Sequence, residues 1–316
     1  MNRRLLLILA MLAAAPASAQ MLSDMGPPQH RIVHRNTFAL RVNPLGLLYD
    51  GRFAYRLRLF ESKSVALRDN FVAIGVAAGA SPAFVRAGPY IEIQPLTVFS
   101  VWATYDVQKY FGTFNLLQSF PSQNSEFSDQ TIRDRGEAGS NFPGFGTNLT
   151  IGANLQLQVG PMVLRSGARM IQPKFALRDG DTVIYDQFYD LLLPNGRFTF
   201  TNDLDLLYRT NWGLAAGLRY TVGVPMYGPE NQVAGVAPKD NSTHRMGPFI
   251  TYRLWDEDGR VFNQPTIALA INWWMKHRYR TGAEQSLALP YLALAFNVVG
   301  DLMPIKKPAP ESTETK

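Results

Sequence analysis

The chain has 316 residues, no cysteine, 46% hydrophobic and 18% charged residues, and a formal net charge of +6. The charged share lies below the roughly 25% of an ordinary soluble domain, yet mean hydropathy is near zero, so the apolar residues must be dispersed rather than gathered into spans. Zero cysteine excludes a disulfide scaffold, a cysteine-ligated zinc or iron–sulfur site, a thiol nucleophile and a lipidated N-terminal cysteine.

Residues 1–19 are expected to be a signal peptide. Arg3 and Arg4 give a positive start, Leu5 to Ala15 an apolar run, and Ala17-Ser18-Ala19 a small-residue cleavage site. The run is too short for a helical span, which needs about 20 residues. Residues 20–35, with Gly26-Pro27-Pro28, His30 and His34, read as a loose lead-in. Beyond them the longest apolar stretches, Phe71 to Ala80, Thr266 to Met275 and Leu287 to Val299, also fall short of a helical span. What remains is an exported soluble protein, or a barrel crossing a membrane with strands of roughly 9–11 residues.

Period-two alternation runs along the rest of the chain. Phe53, Tyr55, Leu57 and Leu59 alternate with Arg52, Arg56 and Arg58. Val101, Ala103, Tyr105 and Val107 alternate with Ser100, Thr104 and Asp106, although Trp102 interrupts the polar set. The cleanest stretch is Asn148 to Val159, where Leu149, Ile151, Ala153, Leu155, Leu157 and Val159 oppose Asn148, Thr150, Gly152, Asn154, Gln156 and Gln158. Phe200, Leu204, Leu206 and Tyr208 oppose Thr199, Thr201, Asp203 and Asp205. Leu214, Ala216, Leu218 and Tyr220 oppose Gly213, Gly217, Arg219 and Thr221; further on, Pro248, Ile250 and Tyr252 oppose Thr251 and Arg253. Aromatic residues near strand ends fit the girdles of a membrane barrel, for example Tyr110-Phe111, Trp273-Trp274 with Tyr279, and Tyr252 with Trp255. Core aromatics of a soluble β protein are the competing reading.

The pattern predicts about twelve strands, with ten to fourteen compatible, near 36–48, 52–60, 70–80, 84–94, 97–110, 148–159, 162–175, 198–209, 212–224, 246–256, 261–275 and 286–299. An up-and-down barrel demands short turns at one end and allows long loops at the other. Tight connections fall at Gln94-Pro95-Leu96, Gly160-Pro161, Thr210-Asn211 and Glu257-Asp258-Gly259, and long ones at 111–147, 176–197 and 225–245, in the order required. Glu61 to Asp69 is long for a turn, and Tyr49-Asp50-Gly51 and Ser81-Pro82-Ala83 are short for loops, so the N-terminal third fits least well.

On these residues the chain resembles small Gram-negative outer-membrane β-barrel proteins, a porin-like class, over 36–300. The resemblance implies an all-β, antiparallel up-and-down transmembrane β-barrel in the bacterial outer membrane. It also implies contact with outer-membrane lipid and lipopolysaccharide, and handling by the barrel-assembly machinery. Such barrels typically end on a strand with a C-terminal aromatic. Here residues 301–316 follow instead, a Pro-, Lys- and Glu-rich stretch expected to be a disordered periplasmic tail.

The alternation assigns Arg52, Arg56, Arg58, Arg86, Arg165, Arg169, Arg219 and Arg253 to the lumen, opposed by Glu92, Asp106, Asp203 and Asp205. An arginine facing lipid near the midplane costs roughly 2–4 kcal/mol, which favours the same assignment. Two uses compete. In a narrow channel a basic wall favours small anionic solutes. In a plugged structural or assembly barrel without transport, the same arginines pair with the acids as struts. The loop 112–147, carrying Phe114, Phe120, Phe127, Phe142, Phe145, Arg133, Arg135 and Glu137, is the candidate for folding inward to constrict a pore or bind a ligand, with a floppy external loop as the competing reading. A third reading, an outer-membrane lipid or lipopolysaccharide hydrolase, would draw on His244 beside Ser242 and Thr243, or on His277. No nucleophile-turn motif accompanies either histidine, and no catalytic residue is assigned. No metal set, cofactor or nucleic-acid partner is expected despite a pI near 9.5, because the arginines are dispersed.

Overall fold

The computed structural model describes residues 28–257 and 260–303. The expected signal peptide, residues 304–316 of the expected tail, and Asp258-Gly259 lie outside the described residues. In chain order the elements are β1 (His30–Val42), β2 (Gly46–Leu57), β3 (Phe71–Ala80), β4 (Phe84–Leu96), β5 (Phe99–Tyr110), β6 (Ser119–Phe120), α1 (Asp129–Glu137), β7 (Phe145–Val159) and β8 (Met162–Phe175). They continue with β9 (Val183–Asp186), β10 (Leu191–Pro194), β11 (Thr199–Arg209), β12 (Leu214–Pro225), β13 (Thr243–Arg253), β14 (Asn263–Lys276) and β15 (Tyr291–Asp301).

Twelve of these strands close an antiparallel barrel in the order β1-β2-β3-β4-β5-β7-β8-β11-β12-β13-β14-β15, and β15 returns to β1 from Val33↔Asp301 to Val42↔Leu292. Closure removes both sheet edges, the natural answer to unpaired backbone groups. The remaining strands form a separate sheet, β10-β9-β6. His30 and Asp301 lie at one end of the barrel, here the terminal end; the connections 111–144, 176–198, 226–242 and 277–290 lie at the other, the loop end.

The outer wall is apolar because the period-two pattern sends one face outward on every strand. Ile74 is 65% exposed and Leu218 51%, and Val107, Leu206 and Leu294 stand out similarly. Of the expected girdle residues, Phe111, Trp273, Tyr252 and Trp255 face outward. Tyr110 and Trp274 are buried instead, and Tyr279 packs into a cluster over the loop end.

The first hairpin differs from expectation. Its turn is at Asn43-Pro44-Leu45, with Asn43 at φ +63, and not at Tyr49-Asp50-Gly51. Strand β1 therefore starts at His30, and residues 30–35 are barrel wall rather than lead-in. The alternation was masked because two outward positions are polar. Asn36 Nδ2 lies 2.8 Å from His34 Nδ1, and Asn36 accepts a hydrogen bond from Tyr49 Oη at 2.7 Å. The Asp-Gly signal belongs to packing: a Cβ on Gly51 would sit 2.3 Å from the Tyr49 hydroxyl. At the other seam β15 runs to Asp301, so the barrel includes the first residue assigned to the tail.

Candidate functional site

The lumen carries two charged walls. On the first, Arg52 lies over the Trp102 ring at 4.0 Å and over Tyr90 at 5.1 Å. Strands β2 and β5 are not neighbours, so this contact crosses the interior, and Trp102 belongs to the inner face it seemed to interrupt. Arg86 bonds Asp50 at 2.6 Å, and Arg56 lies 3.8 Å from Glu92 and 4.2 Å over Phe71. Asp106 is buried, with Thr104 Oγ1 donating at 3.4 Å and its Oδ1 without a partner.

The second wall spans β8, β11, β12 and β13. Asp205 is gripped from both sides, by Arg165 at 2.8 and 2.5 Å and by Arg219 at 2.6 and 2.9 Å. Asp203 accepts from Thr221 Oγ1 at 2.7 Å and from Arg169 at 3.4 Å. Arg219 stacks on Phe249 at 3.6 Å. Both aspartates are thus ion-pair partners of the arginines around them. Arg58 and Arg253 sit at the terminal rim, paired with Glu61 at 2.5 Å and Asp256 at 2.6 Å. Sequence reasoning missed further inward arginines. Arg31 and Arg35 lie on β1 before its expected start, Arg41 lies within the expected strand 36–48 whose alternation went unread, Arg209 ends β11 beside Gln158, and Arg245 stands over Trp274 and Tyr291 one residue before an expected boundary.

At the loop end a cap covers the mouth. Its core is Leu116, Leu117, Phe120, Phe127 and Ile132 from loop 111–144, packed on Val183, Ile184, Tyr185 and Leu191 to Leu193 of the β9–β10 hairpin. Leu191 and Leu192 are wholly buried. The candidate loop thus contributes, while Phe114 and Phe145 stay exposed. The segment that crosses the mouth is the hairpin. It leaves from β8 and returns to β11, which stand opposite β1 in the ring of twelve. Its tip is nevertheless held by β1 and the turn that follows it: Arg41 donates to the Gln187 and Phe188 carbonyls, and Gln187 Nε2 donates to Leu45 O at 2.6 Å. Other connections pin it around the rim, Tyr227 Oη donating to Leu192 O at 2.6 Å and Asn231 Nδ2 to Thr182 O at 3.1 Å.

A buried ionic lock fixes the hairpin base. Asp190 accepts from Arg280 Nε and from Tyr185 Oη at 2.9 Å, and its Oδ2 lies 3.2 Å from His277 Nε2. Arg280 also reaches Asp129 at 2.8 and 3.1 Å. Burial pushes the Asp190 carboxyl up, but His277 and Arg280 outweigh it and hold the group well below the ordinary carboxylate range. Burial pushes the Tyr189 hydroxyl up to about 12, with Arg169 offsetting part of the effect. At the tip, burial also raises Asp186, against the Tyr189 amide and Arg41.

The histidines of the hydrolase reading hold other partners. His244 Nδ1 meets Tyr220 Oη at 2.5 Å on the outer wall, and His277 sits inside the cap against the Asp190 carbonyl at 2.7 Å. Neither bonds a serine hydroxyl among the described residues.

No protein-family model and no curated protein matches the sequence. Among solved structures the chain is similar to the translocator domain of autotransporter NalP from Neisseria meningitidis, at 12% identity over 89% of this chain and 90% of that one, with a TM-score of 0.37. It is also similar to the outer membrane protein OprD from Pseudomonas aeruginosa, at 9% identity over 92% and 96%, with a TM-score of 0.30. A third is OmpF of Salmonella typhi, at 8% identity over 89% and 99%, with a TM-score of 0.31. All three are outer-membrane barrels, and the shared feature is the barrel itself.

Proposed function

We propose that the chain is an outer-membrane barrel whose basic lumen conducts small anions, and whose external mouth is held shut by the loop cap. The apolar outer wall supports the bilayer reading: strands of ten to fifteen residues, tilted about 35–45°, suit an apolar band about 25 Å tall. The short-turn, terminal end then faces the periplasm and the cap faces outward.

The observation that carries the conduit reading is the independence of the plug. The β10-β9-β6 sheet shares no ladder with the barrel, so the hairpin can lift without opening the wall. Beneath it lie inward arginines from both walls, which concentrate anions and repel cations. The second reading, a permanently plugged structural barrel, is favoured by the apolar cap core, since burying each Leu or Val is worth about 1.5–3 kcal/mol.

Planar-bilayer recording on the refolded full chain and on Asp190→Ala separates the two. The conduit reading expects rare openings in the wild type, frequent ones in the variant, and a reversal potential on the anion side. Silence from both proteins would support the plugged barrel and sink the conduit.

A further inference from the structure

On the inner face of the β1–β2 hairpin, Arg31 stands directly opposite Arg56, and Arg35 directly opposite Arg52. Side chains so placed have Cβ atoms only about 4.5–5.5 Å apart, and like charges there destabilise a sheet. Between the two arginine pairs lies Val33 opposite Ala54, small enough to leave a recess. A recess of about 220 Å³ is lined by all four arginines together with Tyr90 and Asp301. That is room for several waters or one small organic solute.

The acids nearby do not balance these cations. Asp301 takes Arg31 at 2.6 Å. Glu92 lies 3.8 Å from Arg56 but accepts from Tyr90 Oη at 2.5 Å. Asp50 is 3.9 Å from Arg52 and is engaged more closely by Arg86, at 2.6 Å. Arg35 has no hydrogen bond or ion pair among the described residues, and Arg56 Nε is buried without a partner. Two like-charged rungs four residues apart, about 13 Å along the strand, thus face one cavity with donors to spare.

We propose that this recess binds a small linear organic dianion with an anionic group at each end, one held by each arginine rung. The guanidinium forks match carboxylate or phosphate oxygens, and the ligand supplies the negative charge that the wall lacks. Arg52 is already fixed on Trp102 and Tyr90, so less freedom is lost when it binds. The proposal deepens the conduit reading, to which it gives a solute class, but the site itself needs no conduction.

The test is calorimetric titration of the refolded full chain in neutral detergent at low salt with succinate, adipate and acetate. Saturable binding of a dicarboxylate, at least tenfold tighter than acetate, is expected. Arg35→Gln is expected to weaken it at least tenfold, while Arg197→Gln, paired with Glu230 at the loop end, leaves it unchanged. Relief of like-charge repulsion should also raise the ligand-free thermal midpoint of Arg35→Gln, and adipate should no longer raise it further. No saturable binding at millimolar dicarboxylate, acetate binding as tightly, or an Arg35→Gln chain that binds like wild type would each overturn the proposal. A silent barrel that still binds would sink the conduit alone; a conducting barrel that does not bind would sink the site alone.

Discussion

Replacing Asp190 by alanine should open the cap while leaving the barrel closed. The carboxylate is buried and joins Arg280, Tyr185 and His277, and Arg280 is itself only 3% exposed. Breaking a buried pair from one side costs about 3–5 kcal/mol, because the surviving charge is left without its partner. Asp129 still holds part of the Arg280 guanidinium, so the lower half of that range is expected. At about 1.4 kcal/mol per tenfold, the open population rises by roughly two to three powers of ten. Hydrogen exchange followed by mass spectrometry reads this directly, as lost protection over 183–194 and 116–132 with β7, β8 and β11 unchanged. The pH dependence has a definite sign. A carboxyl held below its ordinary value supplies stability that is fully present above the unfolded pKa of about 3.9 and is lost as pH falls below it. Wild-type protection should therefore exceed that of the variant at neutral pH and converge with it in strong acid. Equal protection at neutral pH, or loosening of the barrel strands instead, would refute the lock.

Asp186→Asn should have the opposite effect. Burial raises this carboxyl, so the folded cap carries a penalty above its folded pKa that vanishes below about pH 4. The amide keeps an oxygen for the Tyr189 N–H, and the variant should show slower cap exchange at pH 7 and no gain at pH 3.5. Leu192→Ala removes a wholly buried side chain and should cost the cap about 2–5 kcal/mol, seen as cap exchange without loss of heat-modifiable migration. Gly152→Ala brings a Cβ to 2.3 Å from the Trp102 ring, so tryptophan emission should shift in a barrel that still assembles. Unchanged emission would contradict the inward placement of Trp102 beneath Arg52.

The barrel was legible because its surface is a solvent problem solved residue by residue. A wall with hydrocarbon outside and water inside must alternate, and β8 was expected at 162–175 and spans Met162–Phe175. The same parity puts Arg165 and Arg169 of β8 on one face, with Asp203 and Asp205 of β11 beside them. The first strand was hidden where His34 and Asn36 satisfy each other outside, which removed Arg31 and Arg35 from view. The pairings were not legible, since Arg86 with Asp50 and Arg56 with Glu92 join strands that are not sheet neighbours. The cap hairpin left a fainter trace: Val183-Ile184-Tyr185 and Leu191-Leu192-Leu193 are apolar runs in an otherwise polar loop. They are too short to carry a period, and only the tertiary fold shows that they meet Phe120 and Phe127 across the mouth.

The proposed role of the β9–β10 hairpin is to close an anion-favouring lumen. Its most direct test is the reversal potential, in a tenfold potassium chloride gradient, of a barrel in which residues 183–194 are replaced by a short Gly-Ser linker. The expected result is a steady conductance with the reversal potential displaced toward that of chloride, and a smaller displacement after Arg165→Gln and Arg169→Gln. A folded barrel that stays silent without its hairpin, or one that conducts with cation preference, would contradict it.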